Sequence, residues 1–204
     1  WRSLAGLPPP RRVVLADDRM PADAAFRLAA EGTALLWRGD FHNARQLLQA
    51  MARRIDRKSR QSAAAGVVAA EDFHRYRLAQ AQHARTLGMV LLPFDADFHI
   101  PLRRAPEVRD ACLAAHGPVD EGFVASLREL QGLIGAYEWR KKGVPVPALD
   151  ARIHPHYGVF APVRGEYVDL VAKARCPRRA GWPSISAPVP ACWRLCWRGA
   201  APAG

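Results

Sequence analysis

The stretch that decides the reading is Ala151-Arg152-Ile153-His154-Pro155-His156-Tyr157-Gly158-Val159-Phe160-Ala161-Pro162-Val163-Arg164-Gly165-Glu166-Tyr167-Val168-Asp169-Leu170-Val171. It begins with a strand-like run, turns at Gly158, and continues as a helix from near Arg164. Glu166 falls in the first turn of that helix, where the macrodipole stabilises a carboxylate. His154 and His156 alternate onto one strand face. Two histidines can begin a metal site, but no Cys, Asp or Glu stands ready to complete it, so no metal is expected.

Downstream, the composition changes near Lys173. Residues 174–204 hold five arginines and no acidic residue, three of the four cysteines (Cys176, Cys192, Cys196), three of the six tryptophans and five prolines. The formal net charge of the chain is +11, and the tail arginines account for five of it, leaving +6 for residues 1–173. Neither helical nor strand periodicity survives the prolines. A genuine Cys/Trp/Arg-rich extension is one reading; the three cysteines lack a fourth ligand at zinc-site spacing.

Upstream, the pattern is mostly helical. Residues 1–12 are Pro/Arg-rich, and a loose segment is expected over residues 1–20. Helices are expected from Ala24 to Glu31, from Phe41 to Arg54 with Asp40 as its cap, from Phe73 to Leu87, from Glu107 to Ala115 behind Pro106, and from Phe123 to Arg140. In the third, Tyr76, Ala79, Gln80, His83 and Leu87 stand at near-helical spacing. Lys141-Lys142-Gly143 closes the last, with cations at the end the dipole favours. Ala34-Leu35-Leu36-Trp37 is an apolar run before the turn Arg38-Gly39-Asp40, and Met89 to Phe94 reads as a short strand. Arg53 to Arg60 is a basic helix end that is either solvated or set against phosphate. His74 and His83 read as surface or core polar residues.

The expected fold class is therefore α+β. It comprises a loose segment (1–20), a mainly helical N-terminal domain (21–145), the start of a second domain (146–173) with a strand pair near 146–162 and a helix near 164–173, and an irregular tail (174–204). No apolar run approaches the roughly 18–20 residues that span a bilayer, so no membrane partner is expected. The first residues, Trp1 to Leu7, show neither an initiator Met nor a signal-peptide pattern. A cytoplasmic location is the default expectation. The positive charge allows an anionic partner such as RNA, although free use of Arg in a GC-rich genome gives the same sum.

Residues 151–171 resemble the segment that precedes the nucleotide-binding core in class I S-adenosylmethionine-dependent methyltransferases acting on nitrogen, such as the release-factor glutamine and ribosomal RNA guanine methyltransferases. The resemblance covers about 20 residues. It implies that Phe160, Pro162, Arg164 and Glu166 border the cofactor or substrate pocket, that the cofactor is S-adenosylmethionine, and that the partner is a protein or RNA substrate. The family's α/β Rossmann-like core would be truncated here. Its glycine-rich loop should follow, and as translated it does not; its catalytic Asn-Pro-Pro-aromatic sequence is also absent. No catalytic residue is assigned.

The codons of the tail point to a cause. Read from the third base of each codon, Ile185 permits Asp, Ala187 and Ala191 permit Gly, and Pro188 and Pro190 permit Thr. Val189 permits Gly, and Cys192 followed by Trp193 forces Leu. The shifted reading allows Asp-Ile-Gly-Thr-Gly-Thr-Gly-Val-Leu-Ala, which resembles the cofactor strand and G-x-G-x-G loop of a class I methyltransferase. The sequence-level expectation is thus a methyltransferase front part with an out-of-frame tail, inactive as written. The alternative is a basic helical RNA- or protein-binding module without catalysis.

Overall fold

The computed structural model describes residues 1–62, 70–147 and 150–159 together with Glu166 and Leu170; the side chains of residues 58–62 and 70–72 are outside that description. The described chain is mixed α/β, with five helices and a small mixed sheet. It divides into two compact units, residues 1–132 and 133–204.

The first unit is organised by a four-stranded sheet: β1 (Arg12–Ala16), β2 (Thr33–Trp37), β3 (Val90–Phe94) and β4 (Phe123–Ser126), in that spatial order. β1, β2 and β3 are parallel, and β4 runs antiparallel to β3. Parallel neighbours need crossovers. α1 (Ala22–Ala30) supplies the first, and α2 (Phe41–Ser62) with α3 (Ala70–Leu87) lies along the second. α4 (Arg109–His116) lies between β3 and β4, and α5 (Leu127–Lys142) follows β4 directly.

Burial explains the strand choices. β2 (Thr-Ala-Leu-Leu-Trp) and β3 (Val-Leu-Leu-Pro-Phe) are covered on both faces, so they read as unbroken apolar runs rather than alternating ones. Leu35, Trp37, Val90 and Leu92 are essentially inaccessible. Each such side chain contributes about 1.5–3 kcal/mol by leaving water. Leu92 stands opposite Ala125, and Phe94 opposite Phe123. The two phenyl rings stack with centroids 4.9 Å apart, and Phe98 meets Phe123 edge-on at 5.9 Å. α2 turns Ala44, Leu47, Leu48, Met51 and Ile55 toward the core.

Three expectations are corrected. The N-terminal region is rich in helix as expected, but a mixed four-stranded sheet organises it, because two short apolar runs pair with each other and with β1. Residues 1–20 are not wholly loose: Arg12–Ala16 forms β1, the Arg2 amide donates to the Val124 carbonyl at 3.0 Å, and the Leu4 amide donates to the Glu129 carboxylate. Phe123–Ser126 is strand β4 rather than the first turn of a helix, since it completes the ladder on β3.

In the second unit, β5 (Val144–Val146) and β6 (Ala151–Ile153) form an antiparallel pair, with Val144 opposite Ile153 and Val146 opposite Ala151. Gly143 begins it in the left-handed region (φ 71°), and a Cβ there would fall 2.8 Å from His154 Cε1, so only glycine fits. The helix expected at 164–173 and the tail lie outside the described residues, apart from Glu166 and Leu170, which have helical backbone.

Candidate functional site

In open sheets of parallel strands, ligands gather outside the carboxyl ends of the strands. Here three loops leave those ends: Asp17 to Pro21 after β1, Arg38 to Asp40 after β2, and Asp95 to Val108 after β3. One residue, Asp40, ties all three together through its carboxylate and its backbone amide. Asp40 is 3% exposed. Its Oδ1 accepts the His42 amide at 2.8 Å, which caps α2, and its Oδ2 accepts Arg104 Nε at 2.6 Å. Its own amide donates to Asp18 Oδ1 at 2.9 Å. The Phe41 amide donates to the Arg103 carbonyl at 3.0 Å, and the Arg38 amide to the Ala16 carbonyl at 2.8 Å.

Local chemistry makes this junction possible. Gly39 has to be glycine, because a Cβ would collide with the Asp18 carboxylate and backbone. Arg104 sits in the left-handed region (φ 54°), a conformation costing a non-glycine residue about 1–3 kcal/mol. Its charged hydrogen bond to a buried carboxylate holds it there. The β3 loop is braced by Asp95, whose Oδ1 accepts the amides of Asp97 at 3.0 Å and His99 at 2.7 Å.

The electrostatics follow. The Arg104 hydrogen bond holds the Asp40 carboxyl below the ordinary carboxylate range; burial opposes this, and the His42 amide adds to it. Asp40 raises Arg104 in turn. Both carboxylate oxygens are engaged, so Asp40 serves as a latch between loops rather than as a proton carrier. Around it Arg19, Arg38 and Arg103 are exposed, which gives the rim of this edge guanidinium groups directed at solvent.

Other reactive groups are tied up. The Cys112 thiol is buried and pushed up to about 11, by burial first and the Glu107 charge second, so it stays protonated and unreactive. His116 lies against Phe98 and Phe123, and burial lowers its pKa, with Arg2 adding to the effect and Glu129 opposing it. An open groove of about 700 Å³ runs along α1, lined by Pro21, Phe26 and Arg27 among others. Arg54 closes one side of it, paired with Asp23 and 5.3 Å from the centre of the Phe26 ring.

Of the four residues that the methyltransferase resemblance places at the pocket, Phe160, Pro162 and Arg164 lie outside the described residues. Glu166 is helical and exposed. His154 Nδ1 bonds the Arg140 carbonyl at 2.6 Å, and His156 is exposed. Among the described residues no group of three His, Cys, Asp or Glu side chains is placed to hold a metal ion. No described helix is long and apolar enough to cross a membrane.

The Asp40 junction was half-legible. Asp40 reads as a helix cap from its place before Phe41, but its partners Asp18 and Arg104 are 22 and 64 residues away. The available signal was Asp17-Asp18 directly after Arg-Val-Val-Leu-Ala and Asp95 directly after Phe94, acidic residues at the ends of two apolar runs.

No protein-family model matches the chain, and neither a characterised protein nor a solved structure matches it.

Proposed function

We propose that this chain is the front part of an S-adenosylmethionine-dependent methyltransferase acting on a nitrogen of protein or RNA in the cytoplasm. In this reading residues 21–145 form a substrate-recognition domain, and the segment from residue 146 leads into the methyltransferase core. The observation that carries it is the segment 151–171 together with the shifted reading of codons 185–193, which supplies the glycine loop such a segment should precede. The strand character expected for the start of that segment agrees with β6 at Ala151–Ile153.

Phe160, Pro162, Arg164 and Glu166 would border the cofactor in the parent enzyme. As translated, the chain lacks the glycine loop that lets the backbone approach the cofactor, and it lacks the Asn-Pro-Pro-aromatic motif. The polypeptide as written therefore neither holds S-adenosylmethionine tightly nor transfers its methyl group. Isothermal titration of the full chain with S-adenosylmethionine is expected to give no saturable heat; micromolar binding would overturn this account of the tail. The alternative, a basic binding module without catalysis, draws support from the exposed basic surface of the first unit.

A further inference from the structure

The net charge of the chain is not spread evenly. Residues 41–87, the segment holding α2 and α3, contain nine Lys and Arg against three Asp and Glu, a net +6. Residues 1–40 and 88–173 together sum to zero. Apart from the tail, the whole positive excess therefore sits on two consecutive helices, which touch each other and α1.

The side chains on those helices are placed for a partner. On α2 the core-facing row is Leu48, Met51 and Ile55, and the opposite row is Arg45, Gln49, Arg53 and Arg57, all exposed. Spacing of four keeps this row on one side of the helix over about 18 Å. From Phe73 to Leu87, α3 buries no side chain fully: Ala79, His83, Thr86 and Leu87, on one face, are half-buried and the rest are exposed. Yet it is not a purely polar helix. Phe73, Tyr76 and Leu78 are 56%, 59% and 61% exposed, and Arg77 and Arg85 of the same helix are exposed as well. Phe73, Tyr76 and Arg77 share one face at helical spacing.

We infer that α2 and α3 form an RNA-binding surface, in which Arg53, Arg57, Arg77 and Arg85 contact phosphates and Phe73 and Tyr76 stack on unpaired bases. This rests on the reading of residues 21–145 as a substrate-recognition domain and selects RNA over protein as its substrate class. Guanidinium groups alone would suit any polyanion. Exposed aromatic rings interleaved with them suit a single strand, because every base offers a face to stack on while the arginines displace counterions from the backbone.

The test uses the full chain and a fluorescently labelled single-stranded oligouridylate of about 15 nucleotides, with polyglutamate of the same charge as competitor. Four phosphate contacts predict a log-affinity against log-salt slope of about −3. Arg53→Glu with Arg57→Glu and Arg77→Glu is expected to weaken binding at least about 100-fold and to flatten the slope. Phe73→Ala with Tyr76→Ala is expected to weaken it roughly tenfold or more with the slope unchanged. These side chains are exposed, so the variants keep the fold. Replacing Arg175, Arg178 and Arg179 by Ala is expected to retain most of the binding.

Absence of RNA binding would overturn the inference, as would loss of binding only on changing the tail arginines. Equal competition by polyglutamate, with no effect of the aromatic pair, would replace RNA by an acidic protein. None of these outcomes touches the methyltransferase reading, which the encoding DNA decides separately.

Discussion

α3 and β3 are separated by only Gly88 and Met89, yet they are opposite kinds of structure. β3 is covered on both faces, and Val90, Leu91 and Leu92 are buried. α3 is more than three times as long and buries none of its described side chains. Both are apolar enough in places to look like core: Phe73, Tyr76, Leu78 and Leu87 in one, Val-Leu-Leu-Pro-Phe in the other. Hydrophobic content and periodicity therefore identify an element without saying what covers it. Strand β3 has neighbours on two edges, and α3 touches α1 and α2 while exposing the rest of its surface.

The contrast can be broken by substitution. Leu92→Ala should cost about 2–5 kcal/mol, the usual range for a buried leucine, and urea unfolding would measure it. A loss under 1 kcal/mol would mean the sheet is not the centre of the fold. Gly39→Ala, which forces a Cβ into the Asp18 carboxylate and disturbs the latch, should cost about 1–3 kcal/mol in the same assay. An unchanged midpoint would show that the β1 and β2 loops are not joined as described.

Acid should act on the sheet-bearing unit next. His116 and Asp40 both have folded pKa values below their ordinary ones. Stability from each is complete above the ordinary value and is lost as pH falls through the depressed one. The melting temperature should decline first below about pH 6.5 as His116 is protonated, then again below about pH 4 as Asp40 is. His116→Gln should remove the first decline; a decline that persists in this variant would assign it to another group.

The smallest effect is expected on α3. Leu78→Ala should change stability by no more than about 0.5 kcal/mol. Amide hydrogen exchange should likewise be faster through α3 than through β2 and β3. Protection of α3 equal to that of β3 would indicate that it is covered in the free protein.

How much of this was legible depends on the range of the interactions. α1, α2 and α4 follow from periodicity and local signals, and their ends lie within a few residues of expectation; α2 alone runs on past Arg54 to Ser62. Asp40 as a cap and Gly143 as a helix stop are local chemistry, and both are present. β1 was hidden because Arg-Val-Val-Leu-Ala follows a proline-rich run, and its strand character comes from pairing Val14 with Leu35. β4 was hidden because Phe123 and Leu127 also fit a helical spacing; the ladder to β3 decides against it. The latch at Asp40 needed contacts across 22 and 64 residues, which periodicity does not carry. The residues given by the methyltransferase resemblance, Glu166 aside, lie outside the described residues.

The most direct measurement of the central claim is the sequence of the encoding DNA from codon 173 to codon 199. The account predicts that a shifted frame there encodes Asp-Ile-Gly-Thr-Gly-Thr-Gly, the cofactor loop that residues 151–171 should precede. If no frame encodes a glycine loop, the tail is a genuine extension and the methyltransferase reading is contradicted.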